Sequence, residues 1–194
     1  MTNKILKTQA LGQVTQFCAT ESAEPLNLDS AATKVVTDFT RRSPQLIDKD
    51  VSVDQALFMM RKGHVKSKLV VDAEQQFLGI VSFADLNSRK ILMIANQRQQ
   101  DRHELTVEDV MVPRSELHGI RYEHLKNATI ADLVDTLRSL GEQHILLTDE
   151  QSRLRGLISS SDIARALHIP LDISLKASSF RDIFNVLHEH SELV

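Results

Sequence analysis

Apolar positions recur with a helical period at two places in this chain, 77 residues apart. Val53, Ala56, Leu57 and Met60 fall at i, i+3, i+4 and i+7, and Ile130, Leu133, Val134 and Leu137 repeat the spacing. Each set predicts a helix with one buried stripe. Gly63 and Gly141 follow, and glycine is the residue expected just past a helix C-terminus. Two short apolar runs come next in each copy: residues 68–71 and 77–81, then residues 144–147 and 154–158. Both read as strands. The polar turns between them, residues 72–76 and 149–153, have hairpin length, so each strand pair is predicted antiparallel. A second helix opens at Ser82 and at Ser159. In the first copy it is expected to run through Met93 or Ile94, and in the second it buries Ile163, Ala166 and Leu167. With leading strands at residues 45–47 and 117–120, each copy reads β-α-β-β-α.

The repeat is visible in identities as well as in period. Shifting residues 51–86 by 77 places Arg61 on Arg138, Asp72 on Asp149, Gly79 on Gly156, Ser82 on Ser159 and Asp85 on Asp162, without a gap. This divides the chain into an N-terminal flank, residues 1–33, a first unit, 34–95, a polar linker, 96–104, a second unit, 105–170, and a C-terminal tail, 171–194. The linker holds neither Pro nor Gly, so it is expected to extend the preceding helix rather than form a flexible tether. Leu11, Val14 and Cys18 mark an amphipathic stretch in the N-terminal flank, where Asp29 or Ser30 is placed to cap a helix leading into Val35 and Val36. Phe180, Ile183, Phe184 and Leu187 mark a helical face in the tail. These flanks are expected to cover apolar surface of the repeat or to join an oligomer contact.

These residues resemble the CBS domain family, in which two such units form a Bateman module. The resemblance covers roughly residues 34–170. It rests most on Gly79-Ile80-Val81-Ser82-Phe83-Ala84-Asp85 and Gly156-Leu157-Ile158-Ser159-Ser160-Ser161-Asp162, both of the form Gly, two aliphatics, Ser or Thr, two variable positions, Asp. Val107-Glu108-Asp109-Val110-Met111 is similar to the family's unit opening, and Thr37-Asp38-Phe39-Thr40 is a looser version. Met111-Val112-Pro113-Arg114 also looks like the opening in CorC-type transporter-associated proteins. The resemblance implies a mixed α/β (α+β) fold of two β-α-β-β-α units related by pseudo-twofold symmetry, with two clefts between them. It also implies a homodimer and, as ligand, an adenine nucleotide (AMP, ADP or ATP) or a related adenosyl compound.

The paired motif has a chemistry of its own. A serine opening a helix sets its hydroxyl beside unsatisfied backbone N–H groups, a natural place for phosphate. A glycine three residues earlier lets a ligand approach the backbone. An aspartate one turn after the serine faces the same way and can accept from both ribose hydroxyls. Gly79, Ser82, Asp85, Gly156, Ser159 and Asp162 are therefore the candidate ligand-binding residues, with Lys66, His144, Arg114 and Arg165 as candidate phosphate contacts. Lys68, Arg153 and Arg155 lie near the same segments. Against this stands a plain alternative, because Ser-x-x-Asp before an apolar helix is also a capping pattern needing no ligand.

Composition narrows the classes. Net charge is −3, from 23 basic and 26 acidic side chains, which supplies no general field for a nucleic-acid polymer or an anionic membrane. The single cysteine makes no internal bridge, so a cytoplasmic location is expected. No Walker loop or nucleophile elbow occurs, and none of the eight histidines shows metal-ligand spacing; His188 and His190 diverge if helical. The expected function is a non-catalytic regulatory module that senses the nucleotide and acts on a separate effector protein, with no required cofactor. The alternatives are a ligand-free dimerisation scaffold and, third, a nucleotide hydrolase, for which no general base or metal is legible.

Overall fold

The computed structural model describes residues 25–168, together with Lys7, Thr8, Ala10, Gln13 and Thr15. The expected helices around Leu11 to Cys18 and across residues 178–190 lie outside the described residues. Among the described residues, eight strands form two four-stranded sheets, and six α-helices accompany them.

In the first copy the leading strand β2 (Leu46–Asp48) runs parallel to β3 (Ser67–Val71), and β3 pairs antiparallel with β4 (Phe77–Ser82). The second copy repeats this with β6 (Gly119–Arg121), β7 (His144–Thr148) and β8 (Leu154–Ser159). Both hairpins are antiparallel, and both leading strands sit one or two residues later than the apolar pattern suggests. Parallel leading strands need a crossover, supplied by α1 (Val53–Lys62) and α5 (Ile130–Leu140). Their buried residues are Val53, Ala56 and Met60, then Ile130, Leu133, Val134 and Leu137, all of them predicted, while the fourth position expected on α1, Leu57, is half-buried. The left-handed residue that ends α1 is His64, with φ 52°, rather than Gly63. Its counterpart 77 residues on is Gly141, with φ 69°.

The helix after Ser82 is not continuous. It breaks into α2 (Phe83–Leu86) and α3 (Lys90–Arg98). Ser88 Oγ donates to the Asp85 carbonyl and accepts the Lys90 N–H, so a side chain takes up backbone groups that a continuous helix would use. Helix α3 does enter the linker, stopping at Gln99 in a left-handed conformation. In the second copy the corresponding helix is α6 (Ser160–Ala166), which buries Ile163 and Ala164 while Ala166 and Leu167 stay half-buried. The segment before Val36 is a short 3-10 helix, Ala32–Val35, with no side-chain cap. Ser30 bonds Asn27 instead.

The opening segments cross over. Strand β1 (Thr37–Asp38), which precedes the first copy, pairs with β8 of the second. Strand β5 (Val112–Pro113), which precedes the second, pairs with β4 of the first. Ahead of β1, Ala32 and Val35 pack among Ile130, Leu133, Ile145 and Ile158. Ahead of β5, Leu105 and α4 (Val107–Val110) pack among Val53, Met60, Val70 and Val81. The backbone bonds are reciprocal as well: Ala32 donates to the Ala128 carbonyl and Ile130 to that of Ser30, while Val53 donates to Leu105 and Val107 to Val51. Each sheet therefore reads, from one edge, exchanged strand, hairpin, leading strand. A smaller apolar cluster of Leu69, Ile80 and Leu146, flanked by Phe39, Phe77, Val112 and Leu157, fills the seam between the sheets.

The exchange leaves no room at two backbone positions. A Cβ on Gly79 would lie 2.3 Å from the Val112 carbonyl oxygen, and one on Gly156 would lie 2.8 Å from that of Thr37. A Cβ on Gly119 would meet nothing closer than 3.4 Å. Gly79→Ala is therefore expected to cost about 1–3 kcal/mol, as overpacking does, and Gly119→Ala much less. Urea unfolding of the two variants checks this: equal midpoints would refute the steric role of Gly79.

Candidate functional site

The two Ser-x-x-Asp turns have almost the same geometry. Ser82 ends β4 and Ser159 ends β8, and both are buried. Each hydroxyl accepts the N–H of the aspartate three residues on, at 3.1 Å for Asp85 and 3.0 Å for Asp162. Each also donates to that aspartate's Oδ2, at 2.5 and 2.7 Å. The capping alternative is thus realised in both turns. It leaves ligand-binding capacity: among the described residues Asp85 Oδ1 has no protein partner, while Asp162 Oδ1 accepts from Arg165 at 2.9 Å. Arg165 is mostly exposed.

Both turns act on one imidazole. His144 opens β7 opposite Ser159 and is half-buried. Burial lowers its pKa, and the charges of Asp85, Asp162 and Glu142 oppose that shift. An aspartate from each copy is therefore close enough to influence the same side chain, at one end of the seam. Lys66 belongs to the same neighbourhood. Its carbonyl accepts the Phe83 N–H at 2.8 Å, and its exposed ammonium lies 5.4 Å from the Phe83 ring centroid. In the other copy the Gln143 carbonyl accepts from Ser160 at 3.0 Å.

Other candidates lie elsewhere or serve other partners. Arg114 donates to the Phe77 carbonyl, at the far end of β4 from Ser82, roughly 16 Å along the strand. It is a hairpin-end contact, separated from the turn it was expected to serve. Gly79 and Gly156 have a packing role that their spacing does not suggest, since the space of the missing side chains is taken by the exchanged strands. Lys68 turns to the helix side of its sheet, where Nζ donates to the Leu46 carbonyl and burial lowers its pKa. Arg153 is paired with Asp149 at 2.7 Å. Among the described residues there is no group of three or more potential metal ligands, and no helix is long and apolar enough to cross a membrane.

Comparison with known proteins agrees with this architecture. Residues 36–90 and 125–169, just over half of the chain, match the family model described as CBS domain, and the chain belongs to that family. The chain is 25% identical over 130 residues to the glycine betaine/carnitine/choline transport ATP-binding protein OpuCA of Bacillus subtilis; the match takes in 66% of this chain and 29% of that protein's length. Among solved structures it resembles an uncharacterized conserved protein from Pyrococcus horikoshii, with TM-score 0.54 and 17% identity, over 77% of this chain and 100% of the other. It also resembles a conserved CBS domain protein of unknown function from Thermoplasma acidophilum, with TM-score 0.50 and 18% identity, over 80% and 77% of the two chains. These similarities establish the fold.

The His144 environment carries a pH signature. Its folded pKa is held below the ordinary histidine value by burial, so below about pH 6.5 the unfolded chain binds more protons than the folded one. The contribution is fully present above the unfolded pKa and is lost as pH falls from there through the depressed folded value. Urea midpoints should therefore fall more steeply between pH 7 and pH 5 for the native chain than for His144→Gln. Parallel pH profiles would show that burial of His144 has no energetic weight.

Proposed function

We propose that the chain is a non-catalytic regulatory module that binds an adenine nucleotide or a related adenosyl compound between its two CBS units. The observation that carries this reading is the pair of Ser-x-x-Asp turns with matching geometry, each at the end of a hairpin strand that borders the seam, with His144 opposite Ser159 and influenced by both carboxylates. Two hydroxyl-bearing turns, two carboxylates and a half-buried imidazole share one end of an apolar seam, which suits a ligand with a flat apolar base, a vicinal diol and a phosphate. Asp85 and Asp162 are the ribose acceptors, and Ser82 and Ser159 flank them. Lys66, His144 and Arg165 are the nearby groups suited to the phosphate. Arg165 would have to exchange its bond to Asp162 for one to the ligand. Arg114 has no part in this arrangement.

A ligand regulates only if it prefers one arrangement of the two halves, since equal affinity for both shifts nothing. Occupancy at the seam is suited to this, because each half carries the other's opening strand. The output falls on a separate chain, in the cytoplasm, with the module as a homodimer. The matching region of the transport ATP-binding protein from Bacillus subtilis lies within a longer chain, which fits a module that serves another activity.

A thermal-shift series with AMP, ADP and ATP tests the reading. Ligand at 100 times its dissociation constant should add about 2.7 kcal/mol of stability. Asp85→Asn and Asp162→Asn keep an acceptor for the capping serine but lose the charge. Each should weaken nucleotide binding roughly 10- to 150-fold, in line with about 1.5–3 kcal/mol for a charged hydrogen bond. No shift with any nucleotide at millimolar concentration, or unchanged affinity in the double variant, would leave the ligand-free scaffold as the better account.

A further inference from the structure

A second polar hollow, none of whose lining residues belongs to either Ser-x-x-Asp turn, lies beside the exchanged strand β1. It encloses about 210 Å³ and is lined by Thr33, Val36, Thr37, Asp38, Arg41, Arg42 and Tyr122. The guanidinium groups of Arg41 and Arg42 are exposed, and among the described residues neither has a side-chain partner. The Thr33 and Thr37 hydroxyls likewise have no side-chain partner among the described residues. The remaining wall is held in place. Arg155 lies 3.5 Å from the centroid of the Tyr122 ring and reaches Asp38 at 3.5 Å, while Asp38 accepts the Thr40 N–H and hydroxyl at 2.9 and 2.7 Å. These Thr40 bonds and the Arg155 charge outweigh burial and keep the Asp38 carboxyl below its ordinary pKa.

The other half of the repeat lacks this hollow's chemistry. A shift of 75 residues carries Thr33 to Glu108, Asp38 to Pro113, Arg41 to Glu116 and Arg42 to Leu117. A shift of 73 carries Lys49 to Tyr122. There Lys49 donates to Glu108 at 2.9 Å, and an internal ion pair takes the place of free cations. The basic hollow is therefore not a by-product of the repeat.

We propose that this hollow binds a small phosphorylated sugar. Its phosphate would sit on Arg41 and Arg42, whose planar forks match phosphate oxygens, and its hydroxyls would be met by Asp38, Thr33 and Thr37. The volume decides the size of ligand: it lies below the ~300–1,000 Å³ of sites for drug-sized molecules, so a sugar phosphate fits better than a complete dinucleotide. Arg155, stacked on Tyr122 and bonded to Asp38, is a positioning residue that fixes the aromatic wall and the carboxylate. This site is independent of the proposed nucleotide site, and its failure would leave that proposal intact.

Isothermal titration of the full chain with ribose 5-phosphate, inorganic phosphate and AMP separates the possibilities. Ribose 5-phosphate should bind saturably. The double substitution Arg41→Ala/Arg42→Ala should weaken it tenfold or more, while Asp162→Asn leaves it unchanged. AMP binding should show the opposite pattern. Inorganic phosphate should bind more weakly than ribose 5-phosphate, because it makes no use of the hydroxyl partners. The proposal is overturned if ribose 5-phosphate fails to bind at 10 mM, if the double arginine variant binds it as well as the native chain, or if Asp162→Asn abolishes it. Both arginines are exposed, so retained thermal stability of the variant is expected and is checked in the same samples.

Discussion

Backbone meets backbone at Gly79 and Gly156, and the arrangement of the molecule depends on those two contacts. At each, a carbonyl of the exchanged strand occupies space that any side chain would fill. The contacts fasten β5 to β4 and β1 to β8, and behind those strands follow the short helical segments that complete the opposite core. Neither half is a closed packing unit by itself. Without its exchanged segment the first core would lose Leu105, Val107 and Val110, and the second would lose Ala32 and Val35. Several fully buried aliphatic side chains, at ~1.5–3 kcal/mol each, are a large fraction of the stability of any domain this size. Folding of the two halves is thereby coupled, although the repeat reads along the chain as two separate units.

Coupling of this kind bears on regulation. The seam cluster of Leu69, Ile80 and Leu146 is small, whereas the exchanged segments are held by strand pairing and by full burial. A relative shift of the two sheets would be opposed mainly by the strands β1 and β5. Those strands pair directly with β8 and β4, which end at Ser159 and Ser82, so a ligand at the turns and a partner at the exchanged segments would act on the same strand pairs. Physical adjacency makes such coupling testable through binding free energies, and no longer pathway is required.

What the sequence disclosed follows from period and spacing. The buried faces of α1 and α5, both antiparallel hairpins and both serine-capped turns were legible, because each is a local pattern with a local cause. The exchange was not. Residues 32–38 and 105–113 sit beside their own copies in sequence, and no periodicity tells which of two similar sheets an edge strand will join. The glycines show the cost of that gap. Their spacing pointed to a ligand, while their nearest neighbours are carbonyls of the chain itself. The break at Ser88 was hidden for a different reason, since the apolar period continues through Ile91 and Ala95 while one hydroxyl competes locally for backbone groups. Arg114 was a candidate phosphate contact for its charge and its place in the chain, and neither discloses that its guanidinium reaches the Phe77 carbonyl, at the end of β4 away from Ser82.

The two halves share a backbone plan and differ in what they attach to it. Position 68 holds a buried lysine whose ammonium is bonded to one carbonyl, whereas its equivalent, Ile145, is fully buried and apolar. Position 144 holds the half-buried imidazole, and its equivalent is Ser67. On α1, Phe58 and Met59 are exposed where α5 carries Asp135 and Thr136. Around β1 lie two exposed guanidinium groups with no side-chain partner among the described residues, and around β5 lies the Lys49–Glu108 ion pair. These differences fall on the helix side of a sheet at position 68, on the seam side at position 144, on the open face of α1 and around the exchanged edges. The repeat is therefore one of backbone and buried period, while the polar and exposed chemistry differs between the halves.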